Sequence, residues 1–198
     1  MVHIGDSTSE GLDSPQYLPE RGKRIGAQYA KVGAGTWRPK ISGARSIVET
    51  LAGQTNAYDV ARELVRQGYQ GCWVLALGTN DAADVAVGSS VDMTQRIERM
   101  MSAIGNQPVM WVNVKSLLGS GAYAETNMAR WDAALVRACP RYANMRVFDW
   151  AAVVRDGWFI DDGIHYSSGG YAARARLIAD ALAQAFPASG ARAGCVVR

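Results

Sequence analysis

Short, largely apolar segments alternate along this chain with longer segments whose apolar residues recur at helical spacing. The strand candidates are residues 2–5, 28–32, 72–77, 109–114 and 146–148. Segments that are apolar throughout, rather than at every second position, are typical of parallel strands covered on both faces. The repeated strand–helix order predicts an α/β fold, an open parallel sheet of about five strands.

The intervening segments predict amphipathic helices that cover this sheet. They span residues 57–67, 91–104, 124–138 and 168–186. In the first, the apolar positions fall on one stripe, and Asn56 or Thr55 can cap its start. The methionines of the second and third helices are interpreted as core filler.

Length and composition indicate one compact domain. The chain has 198 residues, of which 48% are hydrophobic and 20% charged, as is ordinary for a globular domain with a single core. We assign residues 1–187 to this domain and 188–198 to a C-terminal tail. The net charge is only +3, and the one tight basic cluster, Arg21 with Lys23 and Arg24, is interpreted as a solvated face. These features argue against a nucleic-acid partner.

No apolar run is long enough to span a membrane, and no signal peptide precedes the first strand. Because only Val2, His3 and Ile4 lead into the first turn, we expect that upstream sequence has been removed. The absence of a signal peptide in this sequence therefore does not indicate the cellular compartment.

Two short strings at opposite ends of the chain carry groups suited to nucleophilic catalysis. Gly5-Asp6-Ser7 supplies a serine, and Asp162-Gly163-Ile164-His165 supplies a carboxylate and an imidazole. A serine nucleophile needs an imidazole base, and the base needs a carboxylate that holds its tautomer. The other histidine, His3, precedes Ser7 by four residues, or ~13 Å along a strand. His165 is therefore the candidate base.

A third string, Gly78-Thr79-Asn80-Asp81, follows the apolar run at residues 72–77. It places the Asn80 side-chain amide at the carboxyl end of a strand. Ligands of open α/β sheets bind beyond these strand ends, so Ser7, Asn80 and the Asp162–His165 string are expected at one rim.

In these strings the sequence resembles the SGNH, or GDSL-type, hydrolase family, over about residues 2–186. The resemblance implies a flavodoxin-like three-layer α/β/α sandwich with strand order 2-1-3-4-5. It also implies that Ser7 is the nucleophile, His165 the base and Asp162 the orienting acid. The Ser7 and Gly43 backbone N–H groups and the Asn80 amide would form the oxyanion hole.

The family pattern consists of four short sequence blocks, and two of the corresponding segments in this chain depart from it. The second block, at Ile41-Ser42-Gly43-Ala44-Arg45-Ser46, lacks the Asn that usually precedes its glycine, and Gly33 and Gly35 lie in the same stretch. The first block has Thr8 and Ser9 where an apolar residue is more common. We interpret Thr8 and Ser9 as helix-capping residues, although they could also narrow the binding site.

These observations predict an esterase that works through an acyl-Ser7 intermediate and needs no cofactor. The sequence lacks the histidine and cysteine spacings of zinc sites and the Lys-Ser/Thr of a phosphate-binding loop. The substrate is expected to be a small-molecule, glycan or lipid acyl ester, with short or carbohydrate-linked acyl groups favoured because no lid insertion is present. Transfer of the acyl group to a sugar hydroxyl, and a binding module without activity, are the alternatives.

The segments 116–123 and 158–160 are expected to border the site, where they could line an acyl pocket or bury the catalytic loop. The three cysteines are predicted to approach the opposite rim. We expect a Cys72–Cys195 disulfide with Cys139 free, which would indicate an exported or cell-envelope protein. The oligomeric state stays open.

Overall fold

The computed structural model describes residues 1–198 and contains a six-stranded, wholly parallel sheet. Its strands are β1 (Val2–Gly5), β2 (Arg38–Ile41), β3 (Trp73–Ala76), β4 (Val109–Val112), β5 (Met145–Phe148) and β6 (Val196–Val197). Their order in the sheet is β2-β1-β3-β4-β5-β6. The α/β class and the order of the first five strands are confirmed, whereas the count of about five misses β6.

Seven helices connect or follow these strands. They are α1 (Ile25–Lys31), α2 (Ala57–Arg66), α3 (Thr79–Ala86), α4 (Met93–Ile104), α5 (Glu125–Ala138), α6 (Trp150–Val153) and α7 (Ser168–Ala185). The predicted cap of α2 is confirmed, because the Asn56 side chain accepts a hydrogen bond from the Asp59 N–H at 2.8 Å. None of these helices is both long and apolar enough to cross a membrane.

The sheet is buried on both faces, as its apolar strands predict. In β3, Trp73 and Leu75 face the core that includes residues of α2, α4 and α5, while Val74 and Ala76 face the core that includes residues of α1 and α7. All four β3 side chains are 0–1% exposed. The central strands are thus packed between helices on both faces, so the residues that follow these strands are anchored to a rigid sheet.

The predicted strand at residues 28–32 is wrong, because this segment belongs to α1. Ile25, Gln28 and Tyr29 recur at helical spacing and are the buried residues of α1. The strand that pairs with the outer side of β1 is β2, and its residues Arg38, Pro39 and Lys40 are exposed. A proline is tolerated in such an edge strand, where one side of the ladder has no partner.

The C-terminal tail forms the other edge of the sheet. β6 pairs with β5, and a disulfide joins Cys195 to Cys139, with Cα atoms 5.8 Å apart. The predicted Cys72–Cys195 pair is therefore wrong, and Cys72 is the free cysteine. The physical reason is that the tail adds beside β5 rather than approaching the central strand β3, so Cys195 meets the end of α5.

Candidate active site

The turn that carries Ser7 follows β1 directly. A 3₁₀ helix spans Ser7–Leu12, and Asp6 caps it by accepting hydrogen bonds from the Thr8 N–H at 2.9 Å and the Thr8 hydroxyl at 2.7 Å. The cap is therefore Asp6, not Thr8 or Ser9, which are buried within the turn. A Cβ at Gly5 would lie 2.6 Å from Ser9 Oγ, so only glycine fits where the strand enters this turn.

His165 and Asp162 complete a hydrogen-bonded chain with Ser7. His165 Nε2 lies 2.8 Å from Ser7 Oγ, and His165 Nδ1 lies 2.7 Å from Asp162 Oδ2. Ser7 and His165 are 158 positions apart in the sequence. The parallel sheet and the packing of α7 bring them together, and this is the geometry that a serine nucleophile and its base require.

Asp162 is held by the backbone of its own turn. Its Oδ1 atom accepts hydrogen bonds from the Ile164 N–H at 2.8 Å and the His165 N–H at 2.9 Å. Partial burial acts to raise the pKa of Asp162, but the hydrogen bonds from His165 and Ile164 outweigh it and hold this pKa below its usual value. The neighbouring Asp161 is exposed and makes no side-chain hydrogen bond. The structure thus places Asp162, and not Asp161, against the imidazole.

Asn80 lies in the first turn of α3, beyond the carboxyl end of β3. The helix starts after Gly78, whose φ of +134° is a conformation that favours glycine, and a Cβ there would overlap the Trp131 indole. Asn80 Nδ2 donates to the Arg45 carbonyl at 3.3 Å, and Asn80 Oδ1 accepts from the Tyr123 hydroxyl at 3.1 Å. The Asn80 amide is therefore oriented from two sides.

Gly43 is the one of the three candidate glycines that lies at this rim. The preceding residue, Ser42, donates its N–H to the Gly5 carbonyl at 3.2 Å, beside the turn that carries Ser7. A Cβ at Gly43 would lie 3.1 Å from Glu10 Oε1 in that turn. Gly33 and Gly35 instead line a cavity of about 410 Å³ at the amino-terminal end of the strands, together with Met1 and Cys72.

A buried ionic network ties the loop that contains Gly43 to α3. Asp81 Oδ1 accepts from the Ile47 N–H at 2.9 Å and from Arg96 Nη1 at 2.8 Å, and both charged side chains are 0% exposed. Arg96 also pairs with Glu49, which follows the same loop. The network holds the Gly43 loop and the Asn80 helix as one unit.

Sequence reasoning missed Arg96 and Tyr123 as supports of the site. A signal for Arg96 existed, because it precedes Met100 and Ile104 at four-residue intervals and so is a charged residue on the apolar stripe of α4. A charge on such a stripe predicts a buried partner. Tyr123 ends the segment 116–123 that is expected to border the site, but nothing in the sequence indicated its contact with Asn80, which joins residues 43 positions apart.

The segment after β4 contacts the catalytic loop directly. The Leu117 N–H donates to the Gly163 carbonyl at 2.8 Å. In the segment 158–160, Trp158 stacks on Trp150 and Phe159 is buried, so these two side chains bury the loop. Leu117 and Ile160 are 41% and 42% exposed, so they leave an apolar surface beside it.

His3 lies beneath the nucleophile turn and makes no hydrogen bond to Ser7. Its Nδ1 is 2.7 Å from the Tyr29 hydroxyl and its Nε2 is 3.4 Å from Ser9 Oγ. Complete burial, together with the charge of Arg174, lowers the pKa of His3 to about 3. His3 is thus a neutral structural residue, and His165 is the histidine that reaches the nucleophile.

The fold is similar to those of several solved ester-processing proteins. A carbohydrate acetylesterase family member from Sinorhizobium meliloti is 15% identical with a TM-score of 0.70, covering 92% of this chain and 96% of that one. A lipase/acylhydrolase from Enterococcus faecalis is 19% identical with a TM-score of 0.67, covering 90% and 92%.

The C-terminal catalytic domain of a peptidoglycan O-acetyltransferase from Streptococcus pneumoniae is 14% identical with a TM-score of 0.66, covering 92% of this chain and 89% of that one. No protein-family model and no curated protein matches the sequence. At these sequence identities, the similarity to the solved structures shows a shared fold only. The chain has the fold of the SGNH, or GDSL-type, hydrolases, as its sequence blocks predict.

Proposed function

We propose that this protein is a serine esterase that hydrolyses O-acyl esters through an acyl-Ser7 intermediate. The observation that carries the proposal is the continuous chain from Ser7 Oγ to His165 Nε2 at 2.8 Å and from His165 Nδ1 to Asp162 Oδ2 at 2.7 Å. Asn80 and Gly43 lie at the same rim, and we assign their N–H groups as oxyanion donors. A base, its orienting acid and the donors for an oxyanion are the groups that acyl transfer needs.

In the first half of the reaction, His165 Nε2 takes the hydroxyl proton as Ser7 Oγ attacks the ester carbonyl. The carbonyl oxygen becomes an oxyanion, which the Ser7 and Gly43 backbone N–H groups and the Asn80 amide stabilise. The imidazolium then gives its proton to the leaving alcohol. In the second half, His165 Nε2 takes a proton from water as the water attacks the acyl-Ser7 carbonyl, and it returns that proton to Ser7 Oγ as the acyl–Oγ bond breaks and the acid leaves.

Asp162 supports both halves by fixing the imidazole. Its two oxygens accept three hydrogen bonds from a four-residue turn, so the carboxylate is pre-oriented before substrate binds. A carboxylate on Nδ1 selects the tautomer whose Nε2 is free to accept the Ser7 proton, and it stabilises the imidazolium that follows.

We propose short acyl groups on a carbohydrate as the substrate class. The two grooves of about 770 and 810 Å³ are lined by residues other than Ser7, Asn80 and His165, so neither offers an acyl tunnel at the candidate site, and we take this to favour a small acyl group. The similar structures include a carbohydrate acetylesterase family member, which supports the same class. The Cys139–Cys195 disulfide supports folding in an oxidising compartment.

The test uses p-nitrophenyl acetate turnover and covalent labelling by a fluorophosphonate probe. Wild-type protein should do both, because the oxyanion hole accepts the phosphonyl oxygen as it accepts a tetrahedral intermediate. Ser7→Ala should lose turnover and labelling, whereas Ser102→Ala, at an exposed serine of α4, should keep them. A wild-type protein that neither turns over the ester nor takes up the probe would falsify the proposal.

Transfer to a sugar hydroxyl is the second candidate, because an O-acetyltransferase domain has a similar fold. The two activities share the acyl-Ser7 intermediate and differ in the acceptor. Product analysis with p-nitrophenyl acetate, with and without a soluble oligosaccharide, separates them. Free acetate as the sole product in both samples supports the hydrolase, and acetylated oligosaccharide as the main product supports the transferase.

A further inference from the structure

We infer that Tyr123 is a positioning residue that orients the Asn80 amide toward the oxyanion. The inference rests on the proposed function, since it concerns the same oxyanion hole. It starts from one contact, in which the Tyr123 hydroxyl lies 3.1 Å from Asn80 Oδ1. Tyr123 ends the segment 116–123 after β4, which is expected to border the site, and its hydroxyl reaches Asn80 from the loop that leads into α5.

The hydrogen bonds allow only one orientation of the Asn80 amide. Asn80 Nδ2 lies 3.3 Å from the Arg45 carbonyl oxygen, which can only accept a hydrogen bond. Nδ2 must therefore face Arg45, and Oδ1 must face Tyr123. Because Oδ1 is itself only an acceptor, the Tyr123 hydroxyl donates.

This orientation leaves one N–H group of Asn80 for the substrate. The NH₂ group has two hydrogens, of which one is used by the Arg45 carbonyl. Asn80 is 7% exposed, so little water is available to replace a lost partner of Oδ1. Loss of the Tyr123 hydroxyl should therefore let the amide tilt and misdirect the remaining N–H.

The backbone of Tyr123 is held firmly enough for this task. The hydroxyl of Ser116, a 1% exposed residue, donates to the Tyr123 carbonyl at 2.6 Å. The Ser116 N–H in turn donates to Glu125 Oε2 at 2.9 Å, and the Glu125 N–H donates to the Leu118 carbonyl at 2.8 Å. The loop is thus closed on itself, and its tyrosine is presented to Asn80 in a fixed position.

The ionisation of Tyr123 also suits a donor. Burial, followed by the nearby carboxylates Asp84 and Asp6, raises the pKa of the phenol above its usual value. The hydroxyl therefore keeps its proton throughout the neutral and moderately alkaline range. Its contribution to the site should be constant over the pH range in which an ester assay is practical.

The experiment is a double-mutant cycle on kcat that uses Tyr123→Phe and Asn80→Ala. Asn80→Ala should lower kcat about 10² to 10³-fold, as expected for one oxyanion donor. Tyr123→Phe should lower kcat about three- to tenfold with KM changed by less than about twofold, as expected for one hydrogen bond. In the Asn80→Ala background, Tyr123→Phe should have no further effect on kcat, because the residue acts through Asn80.

The matched control is Tyr142→Phe, since Tyr142 precedes β5 at the opposite end of the sheet and its hydroxyl makes no hydrogen bond. It should leave kcat and KM unchanged. Thermal melting of each variant separates a loss of folded protein from a loss of rate. Fluorophosphonate labelling should slow in Tyr123→Phe as kcat does, because it uses the same oxyanion hole.

Two results would overturn the inference while leaving the esterase proposal intact. One is a Tyr123→Phe enzyme with wild-type kcat beside a strongly impaired Asn80→Ala enzyme. The other is a Tyr123→Phe loss that appears in full in the Asn80→Ala background, which would mean that Tyr123 acts independently of Asn80. A wild-type protein without turnover or labelling would instead overturn the proposed function, and the inference with it.

Discussion

The two halves of the candidate site are built in opposite ways. The acid–base turn, residues 162–165, lies at the surface, with the Asp162 side chain 43% exposed, and the hydrogen bonds to that carboxylate come from residues within three positions of it. The oxyanion support, which we define as Asn80 with Asp81, Arg96, Tyr123 and the Gly43 loop, is largely buried. Its contacts join residues 15 to 47 positions apart.

Under the proposed function, the difference follows from the role assigned to each half. A general base has to be reached by substrate and by water, so its supporting carboxylate can sit at the surface. Oxyanion donors are most effective when they are fixed in advance and shielded from water. The local half therefore needs only a turn, whereas the donor half needs the core of the protein. Removal of single residues from each half tests this contrast.

The largest expected effect is on the acid–base turn. Asp162→Asn should lower kcat by up to about 10⁴-fold, because an amide cannot stabilise the imidazolium and selects the wrong tautomer. Its neighbour provides the control, so Asp161→Asn should stay near wild type. Steady-state kinetics with p-nitrophenyl acetate measure both. The reverse ranking would move the acid to Asp161, and equally mild effects would indicate a Ser7–His165 dyad.

In the oxyanion support, Arg96→Met should mainly cost stability. Removal of the guanidinium leaves the 0% exposed Asp81 carboxylate without its buried partner, a change that typically lowers the free energy of unfolding by about 3–5 kcal/mol. Urea denaturation measures the loss. Arg66→Met, which breaks an exposed pair with Glu63, should have little effect. Equal effects of the two changes would contradict the buried-versus-exposed contrast.

The disulfide should affect stability without affecting either half of the site. Cys139→Ser combined with Cys195→Ser should lower the free energy of unfolding by about 2–4 kcal/mol, because the crosslink constrains the unfolded chain. The kcat value should not change, since the bond lies beside Met145, the first residue of β5, whereas Ser7 follows the carboxyl end of β1. Cys72→Ser is the control and should change neither quantity. A fall in kcat in the double variant would show that the two ends of the sheet are coupled.

The most gradual expected effect is the pH dependence of stability that arises from His3, which is buried beneath the turn that carries Ser7. The pKa of His3 is lowered from 6.5 to about 3, so between these values the unfolded chain binds a proton that the folded protein does not. His3 therefore contributes stability that is complete above pH 6.5 and is lost as the pH falls toward 3. The loss is about 1.4 kcal/mol per pH unit within this window.

The measurement compares urea denaturation of wild type and His3→Gln between pH 4 and 6. Burial raises the pKa of Asp81 to about 7, and this group acts in the opposite direction, so only the difference between the two proteins isolates His3. His3→Gln should lose stability less steeply than wild type as the pH falls. Identical slopes would mean that His3 accepts a proton in the folded protein over this range.

The parts of the fold that could be predicted from sequence are those buried on both faces. β1, β3, β4 and β5 are short apolar runs, and burial selects such residues. β2 was misplaced because an edge strand needs no apolar pattern, and Arg38, Pro39 and Lys40 supply none. β6 was missed because it has two residues and depends on the Cys139–Cys195 bond and on pairing with β5.

The residues of the candidate site also divide into those that could be predicted from sequence and those that could not. Ser7, Asp162 and His165 could be named because each lies in a short string whose chemistry is local. Asn80 and Gly43 could be named through family resemblance. Tyr123 and Arg96 were missed because their roles depend on contacts between distant segments, and a sequence without the fold does not show which segments meet. Sequence reasoning thus finds the groups proposed to react and overlooks the residues that contact and position them.

The sheet order also bears on how this protein must be made. β1, which leads into Ser7, lies between β2 and β3, and its residue Val2 pairs with Trp73. On the ribosome β1 emerges about 70 residues before β3, which at roughly 5–20 residues per second is a wait of several seconds. During that interval an apolar strand has only an exposed edge strand as its neighbour. β1 is therefore the strand of this sheet that waits longest for its second neighbour.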